Sequence, residues 1–522
     1  MKNSVSTTIL ETINNLLYSY LSNAYKQNEI VSIINEINTF SKNPIVLNKN
    51  DISKTYDELE TCLSRINEKQ STRKEKGVYY TDNDITEFIV NECMIHYEML
   101  FFLSATVFDP SCGSGEFLLT ALKNKVIINN DECKKKSIKE IFTTIFGNDL
   151  NEESIFITKL RLFLFALKET SLKEVKGLGK ILNKNFTCED FLAYNSKNKF
   201  DIIIGNPPYV EDKKNSKYGN IYADVLSNVC ELSKEEGVIG FIIPLSYVST
   251  PRMSKLRDKL NSTYNTQYIY NYADRPGCLF SQVHQKLTII IGRKTDHKCL
   301  TTGNYQYWYN ENRELLFTSQ SNVINPYAQK DFIPKLGTNE DLKVYEKIIK
   351  EKQSIKDFIL DAKKEENKKE PYICLNMRAA FWIKAFLKEH SGNEYQKIYC
   401  KNEDERNYLY CLLNSSLFWW FWICISDCWH ITNKEFKNFR FPIKFDCKIV
   451  KNLAENLENK LEKTKEYVGT KQVDYVYKHK NCLEEIHAID DYINNLFCLS
   501  KKENEYIKNY ALIYRTSGGN QN

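Results

Sequence analysis

Four consecutive residues near the middle of the chain, Asn206-Pro207-Pro208-Tyr209, carry the most distinctive chemistry of this sequence. Two successive prolines remove two backbone donors, so the carbonyl groups of Asn206 and Pro207 stay available as acceptors. The Asn206 carboxamide adds a side-chain oxygen, and the Tyr209 ring adds an aromatic face. These groups suit a planar amino group on a ring, because both amino hydrogens gain acceptors while the ring gains a stacking surface.

An apolar strand and a glycine-rich loop provide the framework for this turn. Asp201-Ile202-Ile203-Ile204-Gly205 predicts a short buried strand that ends directly before it. Upstream, another strand is predicted to end at Asp109, and Gly113 and Gly115 then permit a tight turn into a helix that opens at about Phe117. This pattern is typical of a nucleotide-like site at the carboxyl edge of a parallel sheet, although the loop lacks the lysine and the spacing of a P-loop.

Further polar residues follow the other predicted strands. The second strand is predicted to end near Asp149, where an acid can accept both hydroxyls of a ribose. A third strand runs into Glu189, Asp190 and Phe191, with the two acids competing for one role. Thr81 precedes an apolar-periodic helix and by itself reads as a helix cap.

The order of these segments resembles that of the S-adenosylmethionine-dependent amino-methyltransferases, and in particular the gamma-class N6-adenine DNA methyltransferases of restriction-modification systems. The stretch Gly77-Val78-Tyr79-Tyr80-Thr81 looks like their motif X, and Asp109-Pro110-Ser111-Cys112-Gly113-Ser114-Gly115-Glu116-Phe117 looks like motif I. Asn206-Pro207-Pro208-Tyr209 resembles motif IV. The resemblance covers residues 76–292 well and residues 298–510 loosely.

This resemblance implies S-adenosylmethionine as the cofactor and gives roles to individual residues. The catalytic residues it implies are Asn206, Pro207, Pro208 and Tyr209. The target base is expected to stack on Tyr209, with Phe280 as the second wall. The implied cofactor-binding residues are Tyr80, Thr81, Asp109, Pro110, Gly113, Gly115, Phe117, Asp149, Asp190, Phe191 and Asn206.

The predicted fold class is α/β. Alternating strands and helices over residues 71–297 predict a seven-stranded, doubly wound methyltransferase domain whose last two strands form an antiparallel edge. Residues 1–70 are predicted to be helical, since apolar side chains recur on one helical face. Residues 298–446 are expected to form a mixed α/β target-recognition domain, and residues 447–522 a helical region. A helix is expected to end near Gly237 and to be followed by an apolar strand over residues 238–243. A further strand is expected around Tyr305–Tyr309, and residues 417–422 form a dense aromatic run.

Composition gives weaker indications. The net charge of +5 arises from 72 basic and 67 acidic residues, so it only weakly favours a polyanionic partner. No signal-like or membrane-spanning apolar run is present, and sixteen cysteines without a paired framework fit reduced thiols, so a soluble cytoplasmic protein with no membrane partner is expected. No metal is expected.

The sequence therefore predicts a site-specific, adenine-specific DNA methyltransferase that acts on a base flipped out of double-stranded DNA, with a restriction endonuclease or a defence complex as a possible partner. The same Asn-Pro-Pro-Tyr motif occurs in protein glutamine and RNA methyltransferases, so both remain alternatives. Methylation of N4 of cytosine, in place of N6 of adenine, is a further alternative. A non-catalytic DNA-recognition subunit with a decayed methylase domain is the alternative from another class.

Overall fold

The computed structural model describes residues 6–66, 81–133, 135–194, 197–280, 283–318, 320–469 and 475–517. The chain divides into two compact units, the first formed by residues 1–247, 252–270 and 278–301. The second unit is formed by residues 248–251, 271–277 and 302–522. The domain boundaries expected from the sequence stay predictions.

Three helices are described within residues 6–66 of the first unit. The buried apolar face predicted there is confirmed, since Ile13, Leu17 and Leu21 are fully buried. The α-helices of this unit are Thr7–Ala24, Gln27–Asn38, Tyr56–Arg65, Asn83–Tyr97, Met99–Phe102, Glu116–Asp131, Ile138–Phe142, Glu152–Glu169, Leu172–Val175, Leu178–Asn185, Ile221–Leu232 and Ser254–Thr263, with Ser246–Ser249 at its edge. Short 3-10 turns are Phe191–Ala193 and Pro251–Met253.

One large sheet organises the predicted site. Its strands are β1 (Val107–Asp109), β2 (Ile145–Asn148), β3 (Phe186–Thr187), β4 (Phe200–Gly205), β5 (Ser233–Pro244), β6 (Thr266–Tyr272), β7 (Leu287–Arg293), β8 (Cys299–Gln306) and β9 (Asn322–Ile324). They stand in the order β3-β2-β1-β4-β5-β7-β6-β8-β9. The seven predicted strands are confirmed as neighbours, and the sheet continues for two strands beyond them.

The register of the central strands brings the carboxyl ends of β1 and β4 together. β1 pairs in parallel with β2 and with β4, and β4 pairs in parallel with β5. β5 pairs antiparallel with β7, so the predicted antiparallel strand is present, but it lies between β5 and β6 inside the sheet and not at an edge. Because Phe108 lies opposite Ile203, the glycine-rich loop after β1 and the turn after β4 leave the sheet side by side at its carboxyl edge.

Two predicted boundaries in the sheet are wrong. The helix expected to end near Gly237 ends at Leu232, and β5 begins at Ser233 instead of Val238. Ser233 pairs with Phe200 before a register shift in β4, and Glu236 has a φ of 60°, so the strand makes an irregular turn where a helix end was expected. The strand predicted around Tyr305–Tyr309 lies earlier in the chain, since β8 ends at Gln306.

The second unit is mixed α/β. Its core contains helix Ser416–Ile425, in which every residue is buried, so the dense aromatic run predicted there is a hydrophobic core. The α-helices are Asn339–Lys350, Ile355–Phe358, Glu403–Asn414, Ser416–Ile425, Asn433–Asn438, Cys447–Thr464, Leu483–Leu496, Lys501–Asn509 and Leu512–Thr516, with 3-10 turns Asn310–Leu315, Glu365–Lys369 and His479–Cys482. The short strands are Gln353–Ser354, Tyr372–Asn376, Ala385–Phe386, Tyr395–Tyr399, Arg440–Phe441, Glu466–Tyr467 and Tyr475–Val476.

Among the described residues, no single helix has the length and apolar character needed to cross a bilayer. Helices Glu403–Asn414 and Ser416–Ile425, which meet at an angle of 62°, reach that length and composition only as a bent pair.

Candidate active site

The glycine-rich loop leaves β1 at Asp109 and turns into helix Glu116–Asp131. Gly113 and Gly115 have φ angles of 53° and 88°, a backbone region that glycine adopts without strain. A Cβ at Gly115 would lie 2.7 Å from the Thr158 side chain, so the loop packs directly on helix Glu152–Glu169. A Cβ at Gly113 would meet no heavy atom within 4 Å, which leaves open space beside this part of the loop.

The loop is held in shape by hydrogen bonds from the end of β2. The backbone N–H of Gly113 donates to the Asp149 carboxylate at 2.9 Å, and that of Cys112 donates to the Asn148 carbonyl at 2.9 Å. The Asn148 side chain, which is buried, donates to the carbonyls of Pro110 and Glu189. Asn148 therefore ties the loops after β1 and β3 together.

The turn after β4 lies directly against the loop after β1. A Cβ on Gly205 would lie 2.7 Å from Oδ1 of Asp109, so only glycine fits between the strand end and this carboxylate. The next residue, Asn206, donates from Nδ2 to the buried hydroxyl of Thr81 at 3.0 Å. The first residue of the Asn-Pro-Pro-Tyr turn thus contacts a residue of the predicted cofactor set.

Tyr209 occupies an aromatic corner beyond the two prolines. Its hydroxyl donates to the carbonyl of Ile242 in β5 at 2.9 Å. Its ring lies edge-on to Tyr222 and 6.4 Å from Phe280, with a tilt of 31° to the latter. Two stacked faces need about 7 Å between rings, so a base lying between Tyr209 and Phe280 requires the two rings to separate slightly.

Asp190 and Phe191 lie at the end of β3. The Asp190 side chain accepts a hydrogen bond from the Leu192 N–H at 2.9 Å and is exposed. Phe191 is buried, with its ring centroid 6.1 Å from that of Phe108 and 5.6 Å from that of Tyr194. Phe191 is thus part of an aromatic cluster on the sheet, and Asp190 is the more accessible of the pair.

The carboxyl edge of the sheet is acidic and partly desolvated. Burial raises the pKa of the Asp109 carboxyl well above its usual range, an effect that the Ser111 N–H opposes and the charge of Asp149 reinforces. Burial also raises the pKa of the Cys112 thiol, so this cysteine stays a neutral packing residue. Among the described residues, no group of three or more His, Cys, Asp or Glu is arranged to hold a metal ion.

The remaining predicted site residues are distributed around the same loop. Pro110 and Phe117 are buried at its start and at the helix that follows it. Tyr80 lies outside the described residues. Three residues at the site were not among those predicted from the sequence, namely Asn148, Thr158 and Tyr222. For Asn148, the available signal was its place directly before Asp149 at a strand end.

Part of the chain matches a known protein family. Residues 143–277, which include β2 to β6 and the Asn206 turn, match the family model described as Eco57I restriction-modification methylase. The Type II methyltransferase M.CvrRI of Paramecium bursaria Chlorella virus XZ-6E is 22% identical over 202 residues, which are 36% of this chain and 42% of that protein. The Type II methyltransferase M.VspI of Vibrio sp. (strain 343) is 27% identical over 146 residues, 27% of each chain. This chain thus covers less than half the length of either relative.

Two further comparisons concern a solved structure and a shorter relative. The structure of the Type IIL restriction-modification enzyme MmeI in complex with DNA aligns with a TM-score of 0.53 at 13% identity, covering 97% of this chain and 89% of that one. This likeness shows the fold, which is the α/β fold of methyltransferases. A tRNA1(Val) (adenine(37)-N6)-methyltransferase of Bacteroides thetaiotaomicron is 35% identical over 66 residues, 11% of this chain and 28% of that protein.

Proposed function

We propose, from the match of residues 143–277 to the Eco57I restriction-modification methylase family model, that this chain methylates the exocyclic N6 of adenine in double-stranded DNA. This match supports a methyltransferase activity. The proposal adds S-adenosylmethionine as the cofactor, adenine as the target, a base flipped out of the helix and DNA as the partner.

One observation carries it: the Asn206 amide nitrogen donates to Thr81, and the neighbouring Gly205 packs on Asp109 of the glycine-rich loop. An acceptor-rich turn for an amine and a cofactor loop thus meet at adjacent strand ends. Transfer between two bound groups requires such proximity, because holding both in line replaces a costly encounter in solution.

The residues at the sheet edge fit S-adenosylmethionine. The acidic members of the predicted cofactor set are Asp149 and Asp190, together with Asp109, whose pKa is raised by burial, and the gap beside Gly113 leaves room at the loop. Acidic groups suit a ligand that carries an ammonium and a sulfonium and no phosphate. S-adenosylmethionine, when bound, supplies the activated methyl group; Asp149 would hold its ribose and Thr81 the methionine part.

The chain's own contribution is to raise the reactivity of the target amine. An aryl amine is a poor nucleophile, because its lone pair is delocalised into the ring. Acceptors at the Asn206 side-chain oxygen and the Pro207 carbonyl draw the amine toward tetrahedral geometry and localise that lone pair on nitrogen. Tyr209 holds the flipped base by stacking, and the amine loses its extra proton after transfer.

A lysine-rich loop directly after Tyr209 supports DNA as the substrate. Its two ends are joined, since the Ile221 N–H donates to the Val210 carbonyl at 2.9 Å. The Asp212 carboxylate orders the loop by accepting the backbone N–H groups of Lys214 and Asn215. The loop exposes three lysines that suit the phosphates flanking a flipped base, Lys213, Lys214 and Lys217.

We propose that the second unit reads the DNA; it contains most of the target-recognition domain expected over residues 298–446 and continues to residue 522. Exposed cations there include Lys437, and Arg378 lies with its guanidinium 5.9 Å from the Trp429 ring centre. Cations and aromatic rings together suit phosphate and base contacts. The names of the matched relatives support a restriction endonuclease or defence complex as the cellular partner, in a soluble cytoplasmic setting.

RNA is the alternative with a specific observation behind it, because one relative is a tRNA adenine-N6 methyltransferase. That relative matches only 11% of this chain, whereas the MmeI likeness, which speaks for fold alone, spans both units. A protein glutamine would present a similar amide donor to Asn206. A decayed, non-catalytic subunit would bind DNA without transferring methyl groups.

These candidates are separated by one transfer experiment. The purified chain is incubated with S-adenosylmethionine labelled in its methyl group and, in parallel, with unmethylated double-stranded DNA, total RNA and total protein. We expect label in DNA alone, lost in Asn206→Ala and retained in Asn130→Ala, an exposed asparagine of the same unit. Label in RNA or protein would replace the DNA proposal, and cofactor binding without transfer to any of them would favour the non-catalytic subunit.

A further inference from the structure

A buried arginine joins the amino-terminal helices to the glycine-rich loop. Arg161 lies on helix Glu152–Glu169, and its side chain is 1% exposed. Burial of a guanidinium is costly unless all of its donors are satisfied by good acceptors. The acceptors that bind the Arg161 guanidinium therefore also determine its orientation.

All five N–H donors of Arg161 are used. Nη1 donates to the carbonyl of Ser114, inside the glycine-rich loop, and to Oε1 of Glu116 at 2.7 Å. Nη2 donates to Oε2 of Glu116 at 3.0 Å and to Oε1 of Glu60 at 2.6 Å. Nε donates to Oε2 of Glu60 at 2.8 Å. The two carboxylates thus bind the guanidinium in bidentate fashion along two adjacent edges that share Nη2, which leaves one donor for the loop.

The charges in this cluster depend on one another. The carboxylates of Glu116 and Glu60 raise the pKa of Arg161 and outweigh its burial, which acts in the opposite direction. Glu60 is the outer member, with 19% of its side chain exposed, against 10% for Glu116. Glu60 belongs to helix Tyr56–Arg65, which lies outside the segment that matches the family model.

The loop has a second anchor on the same helix. Thr158 donates from its hydroxyl to the Gly113 carbonyl at 2.8 Å, one helical turn before Arg161. The carbonyls of Gly113 and Ser114 are therefore both turned toward helix Glu152–Glu169. This orientation keeps two backbone acceptors away from the open space beside Gly113 and fixes the path of the loop around it.

We propose that Glu60 is a positioning residue of the cofactor site, acting through Arg161 on the Ser114 carbonyl to hold the glycine-rich loop in its binding shape. The amino-terminal helices are then a working part of the cofactor site. This inference rests on the proposed function, because it concerns affinity for S-adenosylmethionine.

The test is the dissociation constant of S-adenosylmethionine, measured by titration calorimetry without DNA. Glu60→Gln keeps the size of the side chain but removes its charge and replaces one of the two accepting oxygens by an NH2 donor, and we expect it to weaken binding about five- to tenfold. Arg161→Lys is expected to weaken it further, since a lysine cannot serve both carboxylates and the carbonyl in one plane. Glu58→Gln is the matched control on the same helix, where the Glu58 side chain accepts a hydrogen bond from the Thr55 N–H in the helix cap. We expect this variant to bind S-adenosylmethionine within about twofold of the wild-type affinity.

The melting temperature of each cofactor-free variant separates positioning from stability. A lower melting temperature for Glu60→Gln with unchanged affinity would mean a purely structural role and would overturn the inference. If Glu60→Gln fails to fold, Glu60→Asp takes its place, because it keeps the charge on a shorter side chain. Its affinity for S-adenosylmethionine is expected to lie below that of the wild type, and wild-type affinity would overturn the inference. At saturating cofactor, Glu60→Gln is expected to reach the wild-type kcat.

The outcomes also separate this inference from the proposed function. A wild type that binds S-adenosylmethionine but does not methylate DNA would remove the DNA proposal and leave the Glu60 test intact. A wild type that does not bind S-adenosylmethionine at all would overturn both.

Discussion

Asn206 and Thr81 are joined by a hydrogen bond of 3.0 Å from the amide nitrogen of the first to the hydroxyl of the second, across 125 positions of sequence. The bond fixes which way the carboxamide faces, because the nitrogen is directed at Thr81 and the oxygen, in the same plane, is therefore directed away from it. A preorganised acceptor costs no reorganisation when the amine arrives. We therefore expect Thr81 to influence catalysis, in addition to the cofactor contact proposed for it.

Replacing Thr81 tests this relationship. Thr81→Val removes the hydroxyl at nearly constant shape and lets the Asn206 amide turn, so we expect kcat to fall roughly tenfold or more. Thr81→Ser keeps the hydroxyl and is expected to stay within about threefold of wild type. Steady-state kinetics at saturating DNA and cofactor would show this, and equal kcat values for the two variants would argue against the orienting role.

Tyr209 contributes a ring and a hydroxyl, and the two are separable. Tyr209→Phe keeps the stacking face but leaves the Ile242 carbonyl without this donor, so we expect a loss of about 1 kcal/mol in stability with base capture retained. Tyr209→Ala is expected to weaken capture of the flipped base more strongly. A fluorescent adenine analogue at the target position would report extrusion, and equal loss in both variants would contradict stacking.

The lysine-rich loop after Tyr209 has a salt-dependent signature. Replacing Lys213, Lys214 and Lys217 together by alanine is expected to weaken DNA binding evenly across sequences and to lower the slope of log Kd against log salt by up to about 3. The control replaces three other exposed lysines of the same unit, Lys173, Lys176 and Lys180. Equal slopes for the loop variant and the wild type would exclude phosphate contacts by this loop.

Lys125 makes the stability of the first unit depend on pH. Its buried ammonium donates to the carbonyls of Phe102, Leu103 and Ala105, just before β1. Burial, reinforced by Lys136, lowers its pKa to about 7 from the ordinary value of 10.5. Between these values the unfolded chain binds more protons than the folded one, so this group's contribution to stability grows as pH rises and is lost as pH falls through 7.

Chemical denaturation of the wild type and Lys125→Met at pH 6.5, 8 and 9.5 would test this assignment. Since the methionine does not titrate, we expect the wild type to gain stability relative to the variant as pH rises. A difference in the free energy of unfolding that stays constant over this range would show that the Lys125 pKa is not lowered by folding.

The local parts of the site were predictable, since each depends on a few neighbouring residues. Glycines at 113 and 115 and the apolar run before Gly205 carry their own backbone requirements, so the loop and the strand end follow from sequence alone. Phe280, proposed from its position between two predicted strands, lies with its ring centroid 6.4 Å from that of Tyr209. Its role in base stacking stays a prediction.

Other features depend on distant residues and could not be read from spacing. Glu60 and Arg161 are 101 positions apart, and neither lies in a motif, so their pairing follows only from how the helices pack. The early start of β5 was missed because residues 233–237, Ser-Lys-Glu-Glu-Gly, are polar and helix-compatible, and the pairing of Ser233 with Phe200 decides against a helix there.

The most direct test of the central claim is the mass of the modified nucleoside. Unmethylated double-stranded DNA is incubated with the chain and S-adenosylmethionine, digested to nucleosides and analysed by mass spectrometry, with Asn206→Ala in parallel. The proposed function predicts N6-methyl-2′-deoxyadenosine with the wild type and none with the variant, while both bind the cofactor. N4-methyl-2′-deoxycytidine, or no modified nucleoside from a wild type that binds both DNA and cofactor, would contradict it.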